Sequence, residues 1–439
     1  MKVYKKAGAK ASAEKDEMTV AGGDIYRIIL LILCALAVAF VPAYWIFADA
    51  PALIALEKRY RTEWPEFSVG YLMSGKWGER ADAWMTDKIP AREVLVGIDA
   101  YTWYFMGRQS AQEVYVDKNG NLVEAPPLYT EAGLGKRVDK ILDFAETYAE
   151  LCGPGASIAL TVPPNAGYAA RLPDYMSRCY KDAEISRYIA ARINARKPEN
   201  YKLTYVDMAS AFGILDTPLY YRTDHHWNGD GAYAAYAALG GALGYEPLAA
   251  GAFRTERAEK FYGATYVKSG LWLTAPDALD MWTPPVAARV SVLDASKAPD
   301  IRDTMFFTEY LDDMDKYSVF LGGIHGLTII ENLDYAENAD AAAGQIDEST
   351  AALTDAANGV NPSNADSQSL IIVKDSFANS LIPLLLPHYK TIVAVDLRYY
   401  RGETSKLCLE YTADGRPPGV LIIYSMYHIA NDPDLLWLR

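Results

Sequence analysis

The sequence contains few of the residues that bind transition metals. Its 439 residues include four cysteines, Cys34, Cys152, Cys179 and Cys408, which form no CxxC pair and have no histidine near them in sequence. A structural zinc site is therefore not expected, and neither a metal nor another cofactor is predicted. The cysteine count permits a Cys152–Cys179 disulfide, but no motif supports one. Free buried thiols are expected outside the apolar segment that holds Cys34.

Positive charge is also in short supply, with 42 Lys and Arg against 56 Asp and Glu and a net charge of −14. Such a chain does not favour a polyanion as its main partner, so no nucleic acid is predicted to bind. Hydrophobic residues make up 51% and charged residues 22%, which is typical of a globular protein with a sizeable core. The 32 tyrosines and 9 tryptophans fit a sugar-binding surface, but the same residues also fill cores, and composition leaves both open.

One long uncharged run lies near the N-terminus, at residues 28–47. A helix of that length spans a bilayer core of roughly 30 Å. The flanking cations favour an N-terminus inside and a body outside the cell, so the chain is predicted to be a single-pass protein of the cell membrane with an extracytoplasmic body. The cations that precede the run are Lys2, Lys5, Lys6, Lys10, Lys15 and Arg27, and those that follow are Lys58, Arg59 and Arg61.

A cleaved signal peptide is the alternative interpretation of this run. Ala48-Asp49-Ala50 has the small-x-small form of a cleavage site. Pro51 would follow the cut, where signal peptidase handles proline poorly, and the apolar run is longer than a usual signal core. An uncleaved anchor is therefore the prediction.

Composition and pattern divide the chain into four parts and one excursion. The excursion, residues 335–368, is rich in Ala, Asp and Asn and has no periodic pattern, which is typical of an exposed flexible segment. The predicted parts are a cytoplasmic tail at 1–24, a transmembrane anchor at 25–47, a stem and N-terminal part of the ectodomain at 48–125, and a main domain at 126–439 that contains the excursion at 335–368.

The main domain alternates helical and strand patterns, which predicts an α/β fold with a largely parallel sheet flanked by helices. Before it, alternating apolar residues around Asn119-Gly120 predict a tight hairpin at 114–123, and residues 80–106 have helical spacing. Helices are predicted at 137–151, 185–194, 229–243 and 379–386. Strands are predicted at 156–162, 203–206, 317–321, 370–373, 391–395 and 420–424.

Two of the five histidines lie in the segment Asp224-His225-His226-Trp227. In an extended segment, residues i and i+2 share one side, so the Asp224 carboxylate can hold one nitrogen of His226 and leave the other facing a cleft. That arrangement orients a general base for a serine. A metal site and an ordinary polar loop are the alternatives, although metal ligands with helical i, i+4 spacing are lacking.

Ser376 follows the predicted strand at 370–373, in the sequence Lys374-Asp375-Ser376-Phe377. The carboxyl ends of strands are where α/β folds bind ligands. The helix predicted after it would aim N–H groups and its dipole at an oxyanion formed next to the serine. Alternatively, Ser376 only caps that helix.

These motifs together resemble the bacterial DHHW family. The segments that carry the resemblance are Asp224-His225-His226-Trp227, Asp375-Ser376-Phe377, Trp64-Pro65-Glu66-Phe67-Ser68 and residues 114–122. The likeness runs from about residue 57 to the C-terminus and is poor near 250–300 and 335–368. The family is similar to the alginate O-acetylation proteins and, more distantly, to SGNH/GDSL hydrolases.

The resemblance implies an SGNH hydrolase-like fold with a circularly permuted motif order, because the Asp-x-His-Trp segment precedes the serine. It implies Asp224 as orienter, His226 as base and Ser376 as nucleophile. The chain departs from the usual Gly-Asp-Ser by having Lys374, and its oxyanion donors are not obvious. The further candidates for oxyanion or substrate binding are Gly323, Asn379, Phe377, Asn165, Arg398 and Trp227. Turn or cap chemistry is the alternative for Gly323 and Asn379, and a structural salt bridge is the alternative for Arg398.

The function that the resemblance implies is O-acetylation of hydroxyls on a cell-surface or exported polysaccharide through an acetyl-serine. A membrane-bound O-acyltransferase partner would relay the acetyl group across the membrane. Two alternatives remain at this point: an acetyl esterase with the same triad, and a non-catalytic polysaccharide-binding scaffold.

Overall fold

A computed structural model describes residues 25–36, 38–107, 112–153, 155–170, 172, 177–196, 201–215, 217–294, 298–335, 368–413 and 415–439. The predicted tail at 1–24 and almost all of the predicted excursion at 335–368 lie outside these residues. The chain forms two compact units, Met1–Ile98 and Asp99–Arg439, which we call the N-terminal and C-terminal units.

The N-terminal unit begins with helix α1, Ile25–Phe47, which is apolar and long enough to cross a membrane; a signal sequence would share both properties. Arg59 of this unit makes two hydrogen bonds of 2.6 and 2.8 Å to the buried Asp87 carboxylate. Burial alone would raise the pKa of Asp87, but the Arg59 guanidinium and the Thr62 N–H hold it below its usual range. The remaining elements are strands β1 (Leu53–Ile54) and β2 (Arg59–Tyr60), and helices α2 (Val69–Met73), α3 (Lys76–Asp87) and α4 (Arg92–Phe105).

The C-terminal unit is built on an eight-stranded sheet in the order β10-β9-β11-β13-β12-β14-β5-β6. The five strands from β13 to β6 are parallel, which confirms the predicted α/β fold with a largely parallel sheet. Their bounds are β5 Ser157–Thr161, β6 Lys202–Val206, β12 Ser369–Lys374, β13 Thr391–Val395 and β14 Gly419–Ile423. Strand β12 is buried throughout, as expected for a central strand covered on both faces.

Three further strands extend the sheet beyond β13 in antiparallel fashion and were not predicted from the sequence. They are β9 (Ala288–Leu293), β10 (Asp300–Arg302) and β11 (Leu327–Asn332). Two antiparallel hairpins complete the strands: β3 (Val114–Val116) with β4 (Leu122–Glu124), as predicted, and β7 (Arg254–Phe261) with β8 (Asp277–Thr283).

Helices cover both faces of this sheet and bury two separate apolar cores. Helix α5 contributes its apolar side to one core, and the Ala-rich helix α9 is almost wholly buried in the other. Asn228 caps α9 by accepting the Gly231 N–H at 2.9 Å, and Gly244 ends it in the left-handed conformation. The helices are α5 Glu131–Cys152, α6 Ala166–Ala169, α7 Asp182–Arg196, α8 Met208–Gly213, α9 Gly229–Leu243, α10 Ala264–Ser269, α11 Ala378–Leu385, α12 Thr404–Glu410 and α13 Met426–Asn431.

The predicted strand at 317–321 is wrong, because a 3-10 helix at Lys316–Val319 occupies most of it. The Ser318 hydroxyl donates to the Asp315 carboxylate at 2.7 Å and its N–H donates to the Asp315 carbonyl, so local hydrogen bonds favour a turn. Leu321, Gly322 and Gly323 then have positive φ, which no strand tolerates over three residues.

The permitted Cys152–Cys179 disulfide is not formed. Cys408 is buried, as expected for a free thiol, but Cys179 is exposed.

Candidate active site

The segment before helix α9 presents Asp224 and His226 as a bonded pair. His226 Nδ1 lies 2.6 Å from Asp224 Oδ1, and the His226 N–H donates to the same oxygen at 2.8 Å. Asp224 Oδ2 accepts the Ala264 N–H at 2.7 Å. Gly263 packs so closely that a Cβ there would lie 2.2 Å from the Asp224 side chain, which explains a glycine at that position. Both oxygens of the carboxylate are thus fixed.

The surroundings of Asp224 favour its charged form. Burial alone would raise the pKa of this carboxyl, but the charges of the two neighbouring imidazoles and the hydrogen bonds from His226 hold it well below its usual range. A charged acceptor beside Nδ1 favours the tautomer that carries its proton on that nitrogen. Nε2 of His226 is then free to accept a proton from another group.

Ser376 lies on the other side of the His226 ring, with its Oγ 2.8 Å from His226 Nε2. Tyr317 stacks on the ring with a centroid separation of 4.0 Å and an interplanar angle of 11°. Phe377 contacts the ring at 4.9 Å between centroids. The structure therefore brings Asp224, His226 and Ser376 into one hydrogen-bonded chain, although the serine is 150 residues from the histidine.

Ser376 lies just beyond the carboxyl end of β12, two residues before helix α11 begins. Its hydroxyl faces His226 and does not cap α11, whose N-cap residue is Phe377 and has no side-chain cap bond. The Phe377 N–H is taken by Asp375 Oδ1 at 3.0 Å. Within the described residues the Ser376 N–H has no hydrogen-bond partner, so it is free to donate to an oxyanion bonded to the serine.

Three further candidate residues have their polar groups engaged inside the protein. Asn379 is buried, and its amide donates to the Gly323 carbonyl at 3.0 Å and accepts from Lys374 Nζ at 2.6 Å. The Gly323 N–H donates to the Phe320 carbonyl at 3.1 Å. Trp227 is fully buried and donates its indole N–H to Ser380 Oγ at 2.9 Å. These contacts fit the turn and packing interpretations better than direct contact with a ligand.

The same holds for two candidates in the segments that follow strands β5 and β13. The Asn165 amide donates to both carboxylate oxygens of Asp182, at 3.0 and 3.1 Å. Arg398 forms a two-pronged pair with Asp396 at 2.9 and 2.6 Å, which is the structural salt bridge considered as its alternative role. Phe377 differs from both, because it lies against the His226 ring itself.

His225 lies beside the bonded pair and is partly exposed. Its Nδ1 is 3.9 Å from both Glu124 Oε1 and Asp224 Oδ1, and its ring is 4.1 Å from that of His226. Burial, reinforced by the charge of His226, lowers the pKa of His225. Asp224, His225 and His226 could in principle hold a metal ion between them. Such an ion would compete with the Asp224–His226–Ser376 hydrogen bonds already formed.

A second histidine–carboxylate pair, absent from the sequence-based site, lies next to the serine. His428 Nδ1 is 2.7 Å from Asp375 Oδ2, which also accepts the Ser425 N–H at 2.7 Å. With the bond to the Phe377 N–H, Asp375 thus ties the backbone after β12 to that after β14. The sequence signal for this pair was His428, which comes shortly after the last strand, β14. Strand β14 is the parallel neighbour of β12, and Ser376 follows β12.

This pair predicts a pH-dependent contribution to stability. Burial alone would lower the pKa of His428, but the hydrogen bond and charge of Asp375 outweigh it and raise the pKa, with Asp432 adding to and Arg398 opposing that rise. A raised pKa stabilises the fold fully below the unfolded value of about 6.5, and this contribution is lost as pH rises through the folded value. His428→Gln should therefore lower the melting temperature more at about pH 5.5 than at about pH 8.5. An equal loss at both pH values would contradict this.

The site is thus a hydrogen-bonded Ser–His–Asp arrangement at the carboxyl edge of the central strand of a largely parallel α/β sheet, with the Asp and His preceding the Ser in sequence. The resemblance to the DHHW family is confirmed: a family model described as "DHHW protein" matches residues 188–351 of this chain. Among curated proteins none matches the chain.

Solved structures resemble this chain at low sequence identity, and those with TM-scores above 0.5 share its fold. A DHHW family protein from Eubacterium siraeum is 19% identical with a TM-score of 0.55, over 74% of this chain and 95% of that one. Bacillus cereus PatB1 with a sulfonyl adduct is 17% identical with a TM-score of 0.54, over 74% and 98% of the two chains. The O-acetyltransferase domain of Pseudomonas putida AlgJ is 13% identical with a TM-score of 0.38, over 74% and 96%.

Proposed function

We propose that this chain is an extracytoplasmic O-acetyltransferase that modifies polysaccharide hydroxyls through an acetyl group carried on Ser376. The observation that supports this most directly is the chain of hydrogen bonds from Asp224 through His226 to Ser376, at 2.6 and 2.8 Å. The resemblance of the motifs to the alginate O-acetylation proteins supports acetyl as the group transferred and a polysaccharide as its acceptor.

In the first step His226 Nε2 takes the hydroxyl proton as Ser376 Oγ attacks the carbonyl carbon of an acetyl ester. A tetrahedral oxyanion forms, and the free Ser376 N–H is placed to donate to it. The donor's C–O bond then breaks, and the leaving alkoxide takes the proton from His226. The products of this step are the donor alcohol and acetyl-Ser376.

In the second step a sugar hydroxyl gives its proton to His226 and attacks the acetyl carbonyl. The bond from Ser376 Oγ to the acetyl carbon breaks, and the proton returns to Oγ. Asp224 stays ionised and stabilises the imidazolium in both steps. Each lost oxyanion donor would cost roughly 3–4 kcal/mol of barrier.

The proposed site lies outside the cytoplasm. Acetyl-CoA is absent there, so the acetyl group must be carried across the membrane. We propose that a membrane-bound O-acyltransferase supplies it and that helix α1 keeps the C-terminal unit tethered to the same membrane. A signal-sequence role for α1 would instead release the chain after export.

Transferase and esterase share the first step and differ only in whether a sugar or water accepts the acetyl group. The purified chain should release p-nitrophenol from p-nitrophenyl acetate, and an acceptor oligosaccharide should raise the rate of release while acetylated oligosaccharide accumulates. Mass spectrometry of the sugar measures the transfer. Release without any acetylated sugar, across acceptors of different composition, would favour the esterase, and failure to release p-nitrophenol would favour the scaffold.

A further inference from the structure

An exposed apolar surface lies in the N-terminal unit, between residues 64 and 73. Helix α2 has no buried residue, although its five positions include valine, tyrosine, leucine and methionine. Trp64 is 53% exposed and Met73 is 81% exposed. We call this surface the apolar patch; its members are Trp64, Phe67, Val69, Leu72 and Met73. Because burying one such side chain is worth about 1.5–3 kcal/mol, exposure of five of them between residues 64 and 73 indicates a binding surface.

Two members of the patch, Trp64 and Phe67, pack on an aromatic base. Trp64 meets the rings of Trp77 and Trp84 edge-on, at 5.6 and 4.8 Å between centroids. Phe67 packs against Trp77 at 6.2 Å. Both supporting tryptophans lie on helix α3. Trp64 and Phe67 are therefore supported by helix α3.

A hydrogen bond ties this base to the end of helix α1. Lys88, the residue after α3, donates from Nζ to the Trp45 carbonyl at 3.1 Å. The same ammonium lies over the Trp84 ring at 4.8 Å from its centroid. Trp45 lies in the last turn of α1, which is the turn that leaves the hydrocarbon if α1 spans a bilayer.

We infer that the apolar patch inserts into the outer boundary of the lipid bilayer that holds α1. Tryptophan favours that boundary because its ring is apolar and its N–H is polar. The patch has five residues, whereas a specific protein interface has about 20–30 residues on each side, so a second copy or another protein fits it less well. This inference is independent of acyl transfer and rests only on α1 lying in a membrane.

Nitroxide labels on the full-length chain in lipid nanodiscs test the inference. Cys34, Cys152 and Cys179 are first replaced by alanine, and single cysteines are then introduced as M73C and F67C. L36C on α1 is the lipid standard. L273C is the matched control, because Leu273 is 84% exposed, almost the same as Met73, and lies in the C-terminal unit. Collision rates with oxygen, which concentrates in lipid, and with a nickel chelate, which stays in water, are measured at each label.

The labels at 67 and 73 should have an oxygen-to-nickel collision ratio several-fold above that at 273 and closer to that at 36. Equal nickel accessibility at 73 and 273 would place the patch in water and overturn the inference. Protection of the labels at 67 and 73 from both reagents would mean that protein covers the patch, which also overturns it.

Discussion

Replacing Ser376 by alanine is expected to lower ester cleavage by about a million-fold while leaving the fold intact. The hydroxyl is the only group in the proposed mechanism that bonds the acetyl carbon, so no neighbour can take its place. Its loss removes one hydrogen bond, to His226, worth about 0.5–1.5 kcal/mol of stability. Ester cleavage by wild type and variant, with thermal melts of both, measures the two effects.

Ser380→Ala is the matched control for this variant. Ser380 lies one turn further along, in helix α11, and is as nearly buried as Ser376, but its hydroxyl bonds Trp227 and Tyr317 and does not bond His226. Its loss should affect the melting temperature at least as much as that of Ser376 and activity far less. After brief exposure to an acetyl donor, wild type and Ser380→Ala should each gain one acetyl group and Ser376→Ala none. Unchanged acetylation of Ser376→Ala would dismiss the serine mechanism.

Asp224→Asn is expected to lower ester cleavage by about 10⁴-fold, as loss of the orienting carboxylate does in serine enzymes of this kind. The asparagine keeps the size of the side chain but removes the charge that stabilises protonated His226. Its NH₂ group can also face Nδ1, which would put the imidazole proton on Nε2, where it blocks acceptance from Ser376. The rate of ester cleavage against pH measures this change.

Combining Asp224→Asn with Ser376→Ala should cost no more than Ser376→Ala alone, because the carboxylate acts only through the base and the serine. Glu124→Gln provides a comparison, since Glu124 is also an acidic neighbour of His225 but its carboxylate bonds Thr265 and Lys268. Its effect on cleavage should be small. Losses that multiply in the double variant would argue that Asp224 has a separate role.

The sequence predicted the parts of the fold that local pattern controls. Central strands such as β12 and β13 are short apolar runs between turn residues, and α9 has a capping Asn228 and a closing Gly244 at its two ends. Asp224 and His226 were identifiable because residues i and i+2 of an extended segment share one side, so the carboxylate can hold the imidazole. Ser376 was identifiable because it follows an apolar strand.

The remainder depended on contacts between distant residues. Strands β9 and β10 have no sequence signal strong enough to separate them from a loop, and they are fixed by pairing with β11 and with each other. Asn379 carries the right group for an oxyanion donor, but its NH₂ group donates to the Gly323 carbonyl. His428 approaches Asp375 only because β14 lies beside β12. Spacing along the chain cannot reveal such pairings.

The position of β12 bears on when the chain can first become active. Its two neighbours, β13 and β14, both follow it in sequence, so the middle of the sheet is supplied by the last 71 residues, 369–439. Until residues 369–439 are in place, β5 lacks its partner strand β14, and Ser376 lacks the strands that position it. Pairing over such separations is slow, because long loops must close first. On the proposed function, a chain that lacks residues 369–439 therefore holds His226 without Ser376 and cannot carry out acyl transfer.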